Sequence, residues 1–214
     1  MIRNKYFTTI EKSICVKDIF KNSRFITLVK EVEKEEEIRA FLKDAKNQFP
    51  DASHHCWAYK IGINDQERKQ FSDAGEPANS AGPPILQAIQ HEQLINVMVI
   101  VVRYFGGIKL GISGLIRAYR ESALHGLKLA SRVEKIALKE FMLEKVHYQE
   151  LGKIIHATES RKGRIAQIDY EDTITVLAYL PESDEAWLSN VTKNISHGRI
   201  TNKPGSVKWF TFIE

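Results

Sequence analysis

Two short blocks near the start of the chain, "SICVKDIF" and "RFITLVKEV", mix apolar and polar positions as half-buried strands do. The tripeptide "KNS" between them reads as their turn. The next segment, "KEEEIRAFLKDAKNQFP", changes period. Ile38, Phe41, Leu42, Ala45 and Phe49 recur at helical spacing, the acids cluster in the first turn, and Pro50 stops the helix. "HHCWAYKIGI" returns to a strand pattern. "NDQERKQFSDAGEPANSAGPP" is polar and rich in turn formers, and is expected to be one long loop. "PILQAIQHEQL" predicts a short helix entered through Pro83 and Pro84. Val97 to Val102 is an unbroken apolar run, so this strand is expected to be central and covered on both faces. A helix follows from about Ser113 to Ala130.

After "SRVEK" the pattern restarts. "KIALKEFML", "RIAQIDYED", "TITVLAYLP" and "SVKWFTFIE" read as strands. "HYQELGKIIHATE" and "ESDEAWLSNVTKNISHG" read as helices, the second closed by Gly198. The resulting β-α-β-β-α-β order is the ferredoxin-like order. The expectation is an α+β chain of two domains, 1–132 and 133–214.

Charge separates the halves. The formal net charge is +4. Residues 1–132 carry 20 Lys+Arg against 15 Asp+Glu, a balance of +5; residues 133–214 carry 11 against 12, a balance of −1. An anionic partner therefore favours the first domain. No apolar run approaches the ~18–20 residues of a membrane helix. "MIRNKYFTTIEK" lacks the apolar core of a secretory leader. Cys15 and Cys56 do not make a disulfide framework, so reduced thiols in a cytoplasmic protein are expected. Cys56 beside His54 and His55 reads either as a nucleophile or as a small buried strand residue.

The chemistry-bearing residues gather in three stretches. Gly106, Gly107, Gly111 and Gly114 join the apolar strand to the helix. Glycines there either turn the chain tightly or also open backbone N–H groups to an anion. Ile112 occupies the place of the phosphate-loop lysine, so no nucleotide-binding loop of that kind is expected. Arg103 and Lys109 flank the glycines, and Arg117 and Arg120 share a helix face. These four cations suit RNA phosphates, with Tyr104 or Phe105 able to stack on a base. Alternatively, the arginines pair with Glu121 and other surface acids. The loop adds Asp73 and Glu76. With His54 or His55 they are the residue types of a metal site or of a small-substrate hydrolase. Adjacent strand histidines point to opposite faces, so only one of them joins the two acids. No metal, cofactor or serine nucleophile is expected.

"HHCWAY", "SDAGEPANSAGPPIL" and "NVMVIVVRYFGGIKLGISGLIRAY" together resemble the IMPACT family, in its bacterial branch. The resemblance covers about residues 15–130, and the tail resembles the small C-terminal domain of bacterial members. Two departures stand out. The family's acidic loop often has a second Asp where Ala74 stands, and Gly-Thr where Asn79 and Ser80 stand. The resemblance implies a first domain like the second domain of ribosomal protein S-five and a ferredoxin-like second domain. Eukaryotic relatives regulate translation in amino-acid starvation by competing for the activator of a kinase, with help from a further N-terminal domain not expected here. What carries over is a translation-linked, non-enzymatic binding role, with RNA, the ribosome or a translation factor as partner. The family motif maps onto His54, His55, Asp73, Gly75, Glu76, Pro77, Arg103, Tyr104, Gly106, Gly107, Lys109 and Gly111. Arg117 and Arg120 join that surface from the helix reading alone. The oligomeric state stays open.

Overall fold

The computed structural model describes residues 6–63 and 66–211. It is α+β and divides into two compact units, Met1–Glu134 and Lys135–Glu214. The first unit contains β1 (Tyr6–Ile10), β2 (Ile14–Phe20), β3 (Ser23–Glu31), α1 (Glu35–Gln48), β4 (His54–Ile61), β5 (Arg68–Ser72), α2 (Gly82–His91), β6 (Val97–Tyr104) and α3 (Gly111–Leu129). Its sheet runs β2-β3-β6-β4-β5, antiparallel at every pairing.

The apolar run of β6 lies at the centre of that sheet, as its pattern predicts. Alternation sends Val97, Val99 and Val101 to one face and Met98, Ile100 and Val102 to the other. The first face packs against α2 and α3 through Ile85, Ala88, Ile89, Leu115, Ala118 and Leu127. The second packs against α1 through Ile38, Phe41 and Ala45. Because the sheet is covered on both sides, β6 has no solvent-facing row and needs no polar alternation.

Two strands depart from the sequence pattern. Arg68–Ser72, inside the predicted long loop, pairs with β4 from Trp57↔Ser72 to Ile61↔Arg68. Its residues are mostly exposed because it is an edge strand, so its sequence shows no buried period. Tyr6–Ile10 is the other. Ile95 N–H donates to Thr8 O at 3.0 Å, and Glu11 N–H to Ser131 O at 2.8 Å.

The second unit is built on β7 (Arg132–Val146), α4 (Tyr148–Ser160), β8 (Arg164–Tyr170), β9 (Ile174–Leu180), α5 (Glu185–Ser196) and β10 (Thr201–Thr211). β7 lies between β10 and β9, and β8 pairs with β9, all antiparallel. This is the ferredoxin-like arrangement. Phe141, Leu143 and Val176 meet Ile154 of α4 and Leu188 of α5 in its core. His197 (φ 52°) and Gly198 (φ 86°) end α5 in left-handed geometry, with Gly198 N–H on Lys193 O at 3.0 Å.

One glycine sets how closely α3 approaches the sheet. A Cβ at Gly126 would lie 2.7 Å from Thr27 Cγ2 and 3.1 Å from Val29 Cγ2. Both neighbours are buried, β-branched and held in the sheet, so they cannot turn away. Gly126→Ala gains about 1 kcal/mol of helix propensity but overpacks this contact at about 1–3 kcal/mol. The expected outcome is a lower urea midpoint; an unchanged or higher midpoint would show that α3 can shift outward freely.

Candidate functional site

The site lies where β4, β6, α3 and the loop before α2 meet. Asp73 organises that loop. Its Oδ2 accepts Asn79 N–H at 2.8 Å, and its Oδ1 accepts Ala81 and Gly82 N–H, each at 2.9 Å. Ala81 and Gly82 begin α2, which has no side-chain cap of its own. Asp73 therefore caps the helix from a distance and closes the loop on itself. Gly75 takes φ 88° and lets the loop pass the imidazole of His54, which is 3.4 Å from where a Cβ would stand.

This closure drives Glu76 inward. Its side chain is only 3% exposed, and Arg103 Nη1 donates to its Oε1 at 2.6 Å. Tyr119 OH donates to the same oxygen at 2.8 Å. Arg103 is itself 7% exposed, with its guanidinium 5.6 Å from the ring centres of Phe25 and Phe105. Arg103, expected as a surface cation, is therefore a buried partner of Glu76. It follows the odd-numbered residues of β6 onto the α2/α3 face, where an unpaired charge would be costly. Its Nε has no hydrogen-bond partner among the described residues.

The histidines separate as strand alternation requires. His54 faces Glu76, with Nε2 3.8 Å from Oε1. Its Nδ1 is 3.0 Å from Ala74 O. A carbonyl only accepts, so Nδ1 carries the proton and, in the neutral ring, Nε2 keeps its lone pair. His55 points to the α1 face, where burial lowers its pKa. Cys56 is fully buried behind the site. Its thiol donates to Asp73 O at 3.0 Å, and burial pushes its pKa up to about 12. The structural role expected of Cys56 fits this geometry, and a thiolate nucleophile does not. Burial also raises the pKa of Tyr119, keeping it a neutral donor. The helical period marks Tyr119 only as part of the apolar face of α3. Its hydroxyl is the available signal of a further role, because a buried tyrosine needs a polar partner.

Above this polar floor opens a cleft of about 320 Å³. Pro77, Phe105, Leu110, Ile112 and Leu115 make its walls, with Lys109 and Gly111 at its edge. Of the four residues expected to form a metal or hydrolytic centre, His54 and Glu76 line it and Asp73 and His55 do not. Among the described residues, no three His, Cys, Asp or Glu side chains gather as a metal site.

The glycines have separable roles. At Gly106 a Cβ would meet the Asn22 carbonyl carbon at 2.1 Å, so the β2–β3 turn passes too closely for any side chain. Ser23 Oγ accepts Gly106 N–H at 3.2 Å and Ser53 Oγ accepts Phe105 N–H at 3.3 Å, anchoring the turn on both sides. Gly107 (φ 84°) and Gly111 (φ 73°) have open space where a Cβ would be and supply left-handed backbone.

Tyr104 projects to the α1 face, opposite Arg103. Its hydroxyl donates to Asp51 at 2.8 Å and Arg24 stacks 4.4 Å from its ring centre. Phe105, half exposed, is the aromatic residue that reaches the cleft. A second groove, sharing Leu110 with the first, is lined by Lys21, Ser113, Gly114 and Arg117. Arg117 is exposed and pairs with Glu121 at 2.8 Å, the alternative its sequence raises. Arg120 is exposed one helical step further along.

Removing one member of the Arg103–Glu76 pair leaves a buried charge unmatched. Arg103→Met or Glu76→Leu alone is expected to cost about 3–5 kcal/mol, and the double variant less than the sum. Urea unfolding of the four proteins checks this; additive losses would mean that the pair is not coupled.

Comparisons with known proteins agree with one another. The family model described as "Impact N-terminal domain" matches residues 21–127. A Bacillus subtilis protein named IMPACT family member YvyE is 34% identical over 196 residues, covering 92% of this chain and 88% of its own. Escherichia coli IMPACT family member YigZ is 32% identical over 188 residues, covering 87% and 92%. A solved structure titled as that of a hypothetical protein is 30% identical, with a TM-score of 0.66 over 93% of this chain and 97% of that one. From the β2–β3 turn through the glycine turn and into α3, and across most of its length in the relatives, the chain belongs to the IMPACT family.

Proposed function

We propose that this protein is a translation-linked, non-enzymatic RNA-binding protein that acts on the ribosome. One observation carries the reading. Two grooves meet at Leu110, one edged by Lys109 and the other by Lys21 and Arg117, while exposed Phe105 stands in the first. Cations beside an exposed aromatic ring are what a single-stranded backbone and its bases require. Arg120 extends the positive edge along α3. The balance of +5 in residues 1–132 favours the same side of the chain. The family's link to translation directs the choice of RNA towards the ribosome.

The division of labour among the site residues also favours binding over catalysis. Asp73 is occupied by three backbone N–H groups, Oε1 of Glu76 by Arg103 and Tyr119, and Cys56 holds its proton firmly. Their roles are to shape and stiffen a surface.

Co-sedimentation with ribosomes across a salt series tests the proposal. Wild-type binding should fall with salt, by a log–log slope of about −0.7 for each single-strand phosphate engaged. Lys109→Ala together with Arg117→Ala and Arg120→Ala should flatten that slope by about 0.7 for each phosphate no longer neutralised. A slope unchanged in the triple variant would remove these cations from the interface, and salt-insensitive binding would point to a protein partner.

A further inference from the structure

The floor of the cleft at Phe105 is unlike the rest of the surface. It holds a carboxylate whose two oxygens are treated unequally. Oε1 of Glu76 takes the bonds from both Arg103 and Tyr119, and Oε2 accepts none among the described residues. That side chain is 3% exposed and lines the cleft. Beside it, His54 spends Nδ1 on Ala74 O and, in the neutral ring, leaves Nε2 with a lone pair, 3.8 Å from Glu76 Oε1 and too far to bond it. Neither Glu76 Oε2 nor His54 Nε2 is among the fully buried polar atoms that lack a partner, so both open to the cleft, where a ligand's donors can replace water. This floor therefore presents two neighbouring acceptors.

The rest of the cleft constrains the entrant further. Its volume, about 320 Å³, lies within the ~300–1,000 Å³ of small-molecule sites. Phe105 is 51% exposed, leaving apolar surface for a flat group. Lys109 at the edge offers a positive charge for an attached phosphate.

We infer that the cleft receives a guanine base unstacked from single-stranded RNA. Guanine carries two adjacent donors on its Watson–Crick edge, the ring N–H and the exocyclic amine. Adenine and cytosine each set one amine beside an acceptor, and uracil sets one N–H between two acceptors. Only guanine answers two neighbouring acceptors without opposing like to like. The ring stacks on Phe105, its donors reach Glu76 Oε2 and His54 Nε2, and its phosphate meets Lys109. Reading single-strand bases by stacking and by their Watson–Crick edge is a common mode of RNA recognition.

The inference rests on the RNA reading above, and its test separates the two. Fluorescence anisotropy compares the full chain's affinity for an oligouridylate, for the same strand with one central guanosine, and for guanosine monophosphate. The expected result is about tenfold tighter binding of the guanosine strand, in line with one well-made base contact. His54→Ala should erase that preference while leaving oligouridylate affinity in place, whereas Phe105→Ala should erase it and weaken both strands. Because both side chains border the Arg103–Glu76 pair, the urea midpoint of each variant is measured beside the wild type to show that the fold is retained. Equal affinity for the two strands would overturn the base pocket and leave RNA binding standing. A preference that survives in both variants would overturn this site. Binding of the mononucleotide, weakened by Phe105→Ala and without binding of either strand, would keep the guanine pocket and refute the RNA reading. No binding of any probe would overturn both.

Discussion

The Glu76–Arg103 ion pair is the constraint on which the rest of the first unit turns. Two charges are taken almost wholly out of water, and such a pair persists only when its geometry is good and its remaining polar atoms are met. That requirement reaches outward in several directions. Glu76 can be delivered only if its loop closes, so Asp73 is committed to three backbone N–H groups. Arg103 is received between Phe25 and Phe105, so the chain leaves β6 with an aromatic residue beside the guanidinium. The glycines follow at once, because Gly106 lets the exit pass against the Asn22 backbone. Tyr119 ties α3 to the same carboxylate oxygen. One buried carboxylate thus fixes three segments that are distant in sequence.

The buried pair changes what the family motif means in this chain. The arginine and the acids that read as exposed chemistry are largely the framework. The groups left facing outward are Lys109, Phe105 and the cations of α3 and the β2–β3 turn. A stiff floor beneath an exposed, charged edge suits recognition, since little freedom of the floor is given up on binding.

Most of the fold was legible because burial writes itself into periodicity. The run at 97–102 announced a strand covered on both faces, and the change of period at residues 33–50 announced α1. The parity argument placed the two histidines on opposite faces, which is where they lie. What stayed illegible depends on partners far along the chain. "RKQFS" has no apolar period of its own and becomes a strand only because β4 offers an edge. Arg103 reads as a surface cation until Glu76, 27 residues earlier, is found beside it. A charged residue at the end of an apolar strand carries no local mark of burial.

The central claim is that the buried pair supports an RNA-facing surface made by residues 105–120 and the cleft beside it. Amide chemical-shift mapping of the labelled protein with a guanosine-containing oligoribonucleotide tests this most directly. The account predicts saturable shifts concentrated at the glycine turn, the first turns of α3 and the β2–β3 turn, with His54 among the perturbed residues. Shifts confined to residues 135–214, or spread evenly over both units, would contradict it.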